Sequence, residues 1–299
     1  MMGYRQMVRH WTLTPAFQGS NPCSPVQQRM DGSILFFFLI LDICPKEKQN
    51  DNRVFVKFRK GSKNMYQFDS RIRYSETGKD GRITLESILN YFQDCSTFHS
   101  EEVGYGMESL SKQNRAWILL SWQIVIEQYP KFGSHITIGT KAYDFKRSFG
   151  YRNFVMKDQK GQYIAYANSV WLYMDTKKQL PARADKAQIE AYQLEDRLPM
   201  GYAEMKIALP DCEPVICESF PVQYHHLDTN GHVNNGQYLA MAYQAAGEKF
   251  QAKQMRAYYK KSALLGDTVV PYLYKEVDKY VISINNEEKE PFAVIEFSM

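Results

Sequence analysis

Written one above the other at an offset of 150, Ile72 to Tyr91 and Val222 to Met241 align without a gap and match at Tyr74/Tyr224, Gly81/Gly231 and Leu89/Leu239. Three identities in twenty carry little alone; the shared pattern carries more. Each copy reads as a short alternating strand, a polar turn closed by glycine, and a run with helical spacing. The first helical face is Leu85, Ile88, Leu89 and Phe92; the second is Tyr238, Leu239, Ala242, Ala245 and Ala246.

Strand-like segments follow each helix. In the first half they are Trp117 to Ile126, His135 to Tyr143, Arg152 to Met156 and Tyr163 to Met174. In the second half they are Met255 to Tyr259, Thr268 to Val277, Tyr280 to Asn285 and Ala293 to Phe297. A helix followed by several antiparallel strands, done twice, predicts an α+β chain of two units, each a long helix wrapped by a sheet. Leu180 to Pro214, with four prolines amid polar residues, reads as the connector.

Patterned sequence begins only near Met65, where Tyr66, Phe68, Ser70, Ile72 and Tyr74 alternate. Residues 1–64 show no sustained period and read as a poorly ordered extension or a mis-assigned start, with Ile34 to Leu41 as one buried strand at most. That leader holds ten Lys or Arg against four acids, a net +6, which leaves −2 for residues 65–299. The overall +4 is thus a property of the leader, and a nucleic-acid partner is not indicated. Five scattered cysteines without a C-x-x-C pair argue for a reducing compartment. Ile34 to Leu41 falls far short of the roughly 20 apolar residues that span a bilayer, so a cytoplasmic protein without integral membrane association is expected.

The chemistry concentrates in Tyr224-His225-His226-Leu227-Asp228-Thr229-Asn230-Gly231-His232-Val233-Asn234-Asn235. Asp228, Asn230 and His232 alternate, so in a locally extended backbone a carboxylate, an amide and an imidazole face one side. Gly231 permits a tight turn, and Asn234 or Asn235 can cap the helix that follows. A polar cluster at a helix N-terminus suits stabilisation of a developing oxyanion. A calcium loop would need an oxygen ligand at His232, Gly at Val233 and Glu at Leu239. No second histidine stands at helical spacing from His232 for zinc, and no G-x-S-x-G elbow occurs. A capped turn with a hydrogen-bonded histidine is the alternative.

Asp228-Thr-Asn230-Gly-His232-Val-Asn234-Asn235 followed by Tyr238 resembles the active-site motif of the plant and bacterial fatty acyl-ACP thioesterases. Tyr259-Lys-Lys-Ser-Ala-Leu-Leu-Gly266-Asp267 resembles the second signature of that family. The resemblance runs from about Met65 to the C-terminus. It implies tandem hotdog domains, hydrolysis of the thioester between a fatty acyl chain and acyl carrier protein, and no cofactor or metal. The implied organisation is an extension (1–64), an N-terminal domain holding the acyl pocket (65–195), a linker (196–214) and a C-terminal domain carrying the motif (215–299). A bare N-x-H-V-N also occurs in hotdog thioesterases acting on CoA esters, which makes an acyl-CoA thioesterase the nearest alternative.

By the resemblance, Asp228 is the catalytic carboxylate, Asn230 the amide that holds the carbonyl or the water, and His232 the imidazole that assists proton transfer. The family's fourth residue, a glutamate after the basic pair, is replaced here by Ser262. Either Asp228 serves as base alone, or Glu248 or Asp267 substitutes, or the protein binds acyl chains with little turnover. At the 150-residue offset the first copy presents Gly78, Asp80 and Arg82 in place of the set. The N-terminal half is therefore assigned the pocket, with candidate linings Ile88, Phe92, Trp117, Leu119 and Trp171, for each of which a place in the core is the better reading. An acidic carrier protein calls for a basic face: Lys141, Lys146, Arg147 and Arg152, or Lys260 and Lys261. A homodimer is compatible with this reading.

Overall fold

The alternating run after Met65 forms β1 (Tyr66–Arg71), in half-buried and exposed alternation, but the alternation stops before Tyr74, which enters a single 3-10 turn and is 84% exposed. The computed structural model describes residues 65–247 and 250–299, which fall within one compact unit. The expectations for residues 1–64, and for Glu248, lie outside the described residues.

Helix α1 (Leu85–Glu102) is capped by Thr84, whose side chain accepts from the Ser87 N–H. It buries Leu85, Ile88, Leu89 and Phe92 as the periodicity predicts, together with Tyr91, Cys95, Ser96 and His99. A short helix α2 (Met107–Lys112) leads into β2 (Arg115–Ile126), β3 (His135–Lys146), β4 (Phe149–Asp158) and β5 (Tyr163–Asp175). The connecting stretch is less featureless than its prolines imply: it carries β6 (Leu180–Pro181) and helix α3 (Lys186–Ala191). The second half follows with two-residue strands β7 (Val215–Ile216) and β8 (Phe220–Pro221), helix α4 (Asn235–Ala246), then β9 (Gln254–Tyr259), β10 (Thr268–Lys275), β11 (Lys279–Asn285) and β12 (Pro291–Ser298). Helix α4 buries Met241, which the predicted face omitted, and leaves Ala245 only half-buried. It ends at Gly247, whose φ of 70° is the left-handed conformation that glycine adopts without a Cβ penalty.

The sheet runs β1-β3-β4-β5-β2-β9-β12-β11-β10-β7, a nearly palindromic order that pivots on the antiparallel pair β2 and β9. Register there runs from Ser121 opposite Tyr258 to Val125 opposite Gln254. The Gln123 amide fastens the connector to this seam: its Nε2 donates to Gly201 O (2.9 Å) and Gln254 Oε1 (3.0 Å), and its Oε1 accepts from Ala203 N (2.9 Å). Each half sets a helix against its own antiparallel strands, α1 against β3 and α4 against β11 and β10. In the first half Phe92, Trp122 and Phe154 pack ring on ring, with centroids 4.7 to 6.3 Å apart.

The repeat holds bond for bond. Gly78 N donates to Arg82 O at 2.9 Å, and 150 residues on Asp228 N donates to His232 O at 2.7 Å. Ile83 N meets Pro130 O at 2.9 Å, as Val233 N meets Ala263 O at 3.0 Å. One pair of substitutions between the halves is chemically coupled. Pro130 has no N–H and faces a half whose helix carries Ile88; Ala263 has one, and the Tyr238 hydroxyl at the matching helix position accepts it at 2.8 Å. Tyr238→Phe leaves the fully buried Ala263 N–H without a partner, so it should lower unfolding free energy by about 1–3 kcal/mol. Denaturant unfolding checks this, and an unchanged midpoint would contradict it.

Candidate active site

Asp228 shapes its own loop. Its Oδ1 accepts from Asn230 N (2.8 Å) and His232 N (3.2 Å), while Gly231, at φ 74°, returns its N–H to Asp228 O (3.1 Å). The segment is a tight turn rather than the extended run expected from alternation, because the carboxylate recruits the next backbone donors as an Asx turn does. Leu227 bridges to Val233 and closes the turn. Asn234, not Asn235, is the N-cap of α4, accepting from Gly236 N at 2.8 Å. Asn234 N in turn donates to His226 O (2.9 Å), so the 3-10 turn Tyr224–His226 and the helix start are held as one piece.

This piece opens on a cavity of about 400 Å³. Asp228, Asn230 and Asn235 line it from the second half; the other walls are α1, α2 and the first half's sheet. Trp117, Leu119 and Trp171 line it as the sequence reading expects. Trp117 lies across Gly150, where a Cβ would meet the indole at 3.0 Å, so glycine is what lets the ring lie flat on β4.

Ile88 and Phe92 do not line the cavity. Both are fully buried in the core, Phe92 against Trp122 and Phe154. The apolar stripe of α1 packs on the sheet, and its polar flank, Gln93, Ser96, Thr97 and Ser100, faces the cavity instead. His232 is half-buried in the turn beside Leu264 and is not among the cavity-lining residues. Ser262 is exposed next to Ala263, whose carbonyl holds Val233. The two signatures thus lie side by side. Asp267 is occupied in closing its own turn, accepting from Leu264 N at 2.8 Å through Oδ2.

Among the residues considered for a basic face, Arg152 and Lys141 are buried, not displayed. Arg152 lines the cavity, and Lys141 lies 3.9 Å from Glu195. Lys146 is paired with Asp144 at 2.9 Å. Lys260 is exposed, and Lys261 reaches Glu290 at 3.8 Å. Sequence reasoning missed Arg152, Tyr192 and Gln93 as cavity residues. Burial and the Arg152 guanidinium push the His99 imidazole down to about 3, so this ring stays neutral and its Nδ1 accepts from Arg152 Nη1 at 2.9 Å. No group of three or more His, Cys, Asp or Glu among the described residues is arranged to hold a metal ion, and no helix among them is long and apolar enough to cross a membrane.

The fold is shared with proteins of known structure. A crystal structure of an acyl-ACP thioesterase from Bacteroides thetaiotaomicron superposes with a TM-score of 0.70 at 20% identity, covering 79% of this chain and 97% of that one. The 12:0-ACP thioesterase of Umbellularia californica gives 0.69 at 15% identity, covering 78% and 96%. Among curated sequences, the chloroplastic palmitoyl-acyl carrier protein thioesterase of Gossypium hirsutum is 23% identical over 190 residues, 58% of this chain and 45% of the relative. A chloroplastic acyl-[acyl-carrier-protein] hydrolase of Cuphea viscosissima is 26% identical over 180 residues, 56% and 44%. The chain therefore spans about half the length of the curated relatives it matches. The profile of the acyl-ACP thioesterase N-terminal domain matches residues 63–192 and that of the C-terminal domain residues 211–292, and on that joint match the chain belongs to the acyl-ACP thioesterase family.

Proposed function

We propose that the chain hydrolyses the thioester of a fatty acyl chain carried on acyl carrier protein, releasing the free acid. The observation that carries this reading is the opening of the Asp228 turn on a cavity walled by the other half of the chain. The acyl chain lies in that cavity and its thioester sits at the turn. Asn230 and the N-terminus of α4 polarise the carbonyl oxygen, where free N–H groups and the helix dipole favour developing negative charge. Asp228 keeps Oδ1 on the turn's backbone donors, and Oδ2 remains to orient a water. That water attacks the carbonyl carbon as its proton passes to Asp228, with His232 of the same turn assisting the transfer; the C–S bond breaks and the departing thiolate takes the proton back from Asp228.

Ser262 cannot act as a carboxylate base, so Asp228 works without the glutamate the family motif supplies. Asp228→Asn keeps an amide oxygen for the two backbone N–H donors while removing the carboxylate. It should lower acyl-ACP turnover by about 10²- to 10⁴-fold with the fold intact by circular dichroism, and His232→Ala should do likewise. Rates within a few-fold of the parent would contradict both assignments. The parent should turn over without help from Ser262→Glu. Turnover that appears only in Ser262→Glu would replace hydrolysis with acyl binding as the function.

Lys260 and Lys261 lie within the second signature beside the turn and are the basic pair assigned to an acidic carrier protein. Turnover of acyl-ACP should fall steeply between low and physiological salt while that of acyl-CoA stays level. Equal salt dependence for both would remove this docking face. A reducing compartment, the cytoplasm, is the proposed place of action.

A further inference from the structure

Arg152 carries a charge that the protein does not balance. The residue is 7% exposed, it lines the cavity, and it makes no ion pair with any described residue. Its Nη1 meets two neutral groups, His99 Nδ1 at 2.9 Å and Thr140 Oγ1 at 3.4 Å, and its guanidinium lies 5.3 Å from the centre of the Tyr192 ring. The other arginine on the cavity, Arg115, is neutralised by Asp175 at 2.8 Å. A guanidinium cannot shed its proton, and a buried charge without a counter-ion is costly. Its Nε and Nη2 make no hydrogen bond with a described residue, and the residue lines the cavity.

A second group on the same wall is also unsatisfied. Gln93 Oε1 is buried and has no hydrogen-bond partner, and Gln93 lines the cavity on the same helical stripe as Ser96 and Ser100. A cavity made for a plain hydrocarbon would not carry an unpaired guanidinium in its wall.

The position of Arg152 is fixed by α1. Near its start, Asn90 packs on Gly236 so closely that a Cβ there would meet Oδ1 at 2.8 Å, which places the Asn235 end of α4 at this level. Nine residues further on, His99 touches Arg152. At 1.5 Å per residue the guanidinium is on the order of 14 Å along the helix from the proposed thioester position. The cavity wall between them is Gln93, Ser96 and Ser100.

We infer that the cavity takes acyl chains bearing a carboxylate at the end remote from the thioester, held by the Arg152 fork. This rests on the proposed function for the position of the thioester, and it names the substrate class of that same site. A planar guanidinium with two free donor positions matches a carboxylate, and the ligand's charge would offset the one the fold leaves buried.

The test separates binding from turnover. Calorimetry on the full chain compares the monomethyl ester of a saturated dicarboxylic acid with the methyl ester of the monocarboxylic acid of equal length. The parent should bind the half ester at least about tenfold more tightly, Arg152→Met should abolish the preference, and Arg152→Lys should keep part of it. Equal binding of the two esters by the parent, or an undiminished preference in Arg152→Met, would overturn the inference; the parent's result decides even if the variants fail to fold. In parallel, acid release is measured from ω-carboxyacyl-ACP and from methyl-ended acyl-ACP. An Arg152-dependent binding preference without release from either thioester would sustain the inference and remove the hydrolase reading. Release from the methyl-ended thioester with no preference in either assay would do the reverse.

Discussion

The pairing of β2 with β9 is the constraint on which the rest depends. It joins two half-sheets into one, satisfies an edge of each within a single chain, and fixes where the second half's helix start meets the first half's cavity. Neither half is sufficient alone: the turn that carries Asp228 and Asn230 is in one, and Trp117, Trp171 and Arg152 are in the other. Because backbone register sets this meeting, it is insensitive to most surface change. It also explains why Gln123, at the seam, spends all of its amide on the connector and on Gln254.

Division of labour between the halves is visible in matched positions. Both copies retain the glycine in left-handed conformation, the closing backbone bonds and a capped helix. Only the second copy places a carboxylate where its backbone donors can hold it and where it also reaches a cavity. In the first copy Asp80 accepts from Arg82 N at 3.0 Å, and Arg82 turns its guanidinium to Tyr129 O at 2.6 Å. The same scaffold thus holds a carboxylate at the cavity in one half only.

Much of this was legible from residues alone, for physical reasons. The repeat exposes the architecture because backbone hydrogen bonding constrains the turn as strongly as side chains do. Strands β2 to β5 and β9 to β12 were recognisable because runs rich in apolar, aromatic and β-branched residues, bounded by turn residues, suit a sheet better than a helix. What failed to show were the two-residue strands β7 and β8, the six-residue α2, and the tightness of the Asp228 turn, all too short for periodicity to mark. Ile88 and Phe92, candidates for pocket or core, are core: α1 spends its apolar stripe on the sheet and offers the cavity its polar flank, a choice that apolar character alone does not reveal. Arg152 looked like a surface charge; β4 is buried along most of its length, so alternation gives no hint of which side faces a cavity.

The central claim is that one half presents the reacting bond to the other half's cavity. A crystal structure of the full chain with a non-hydrolysable thioether analogue of an acyl pantetheine tests it most directly. The account predicts the sulfur within contact of Asn230 and Asn235, with the chain running along Ser96 and Ser100 toward Arg152. An analogue bound with its chain in the second half, or with its sulfur remote from the Asp228 turn, would contradict it.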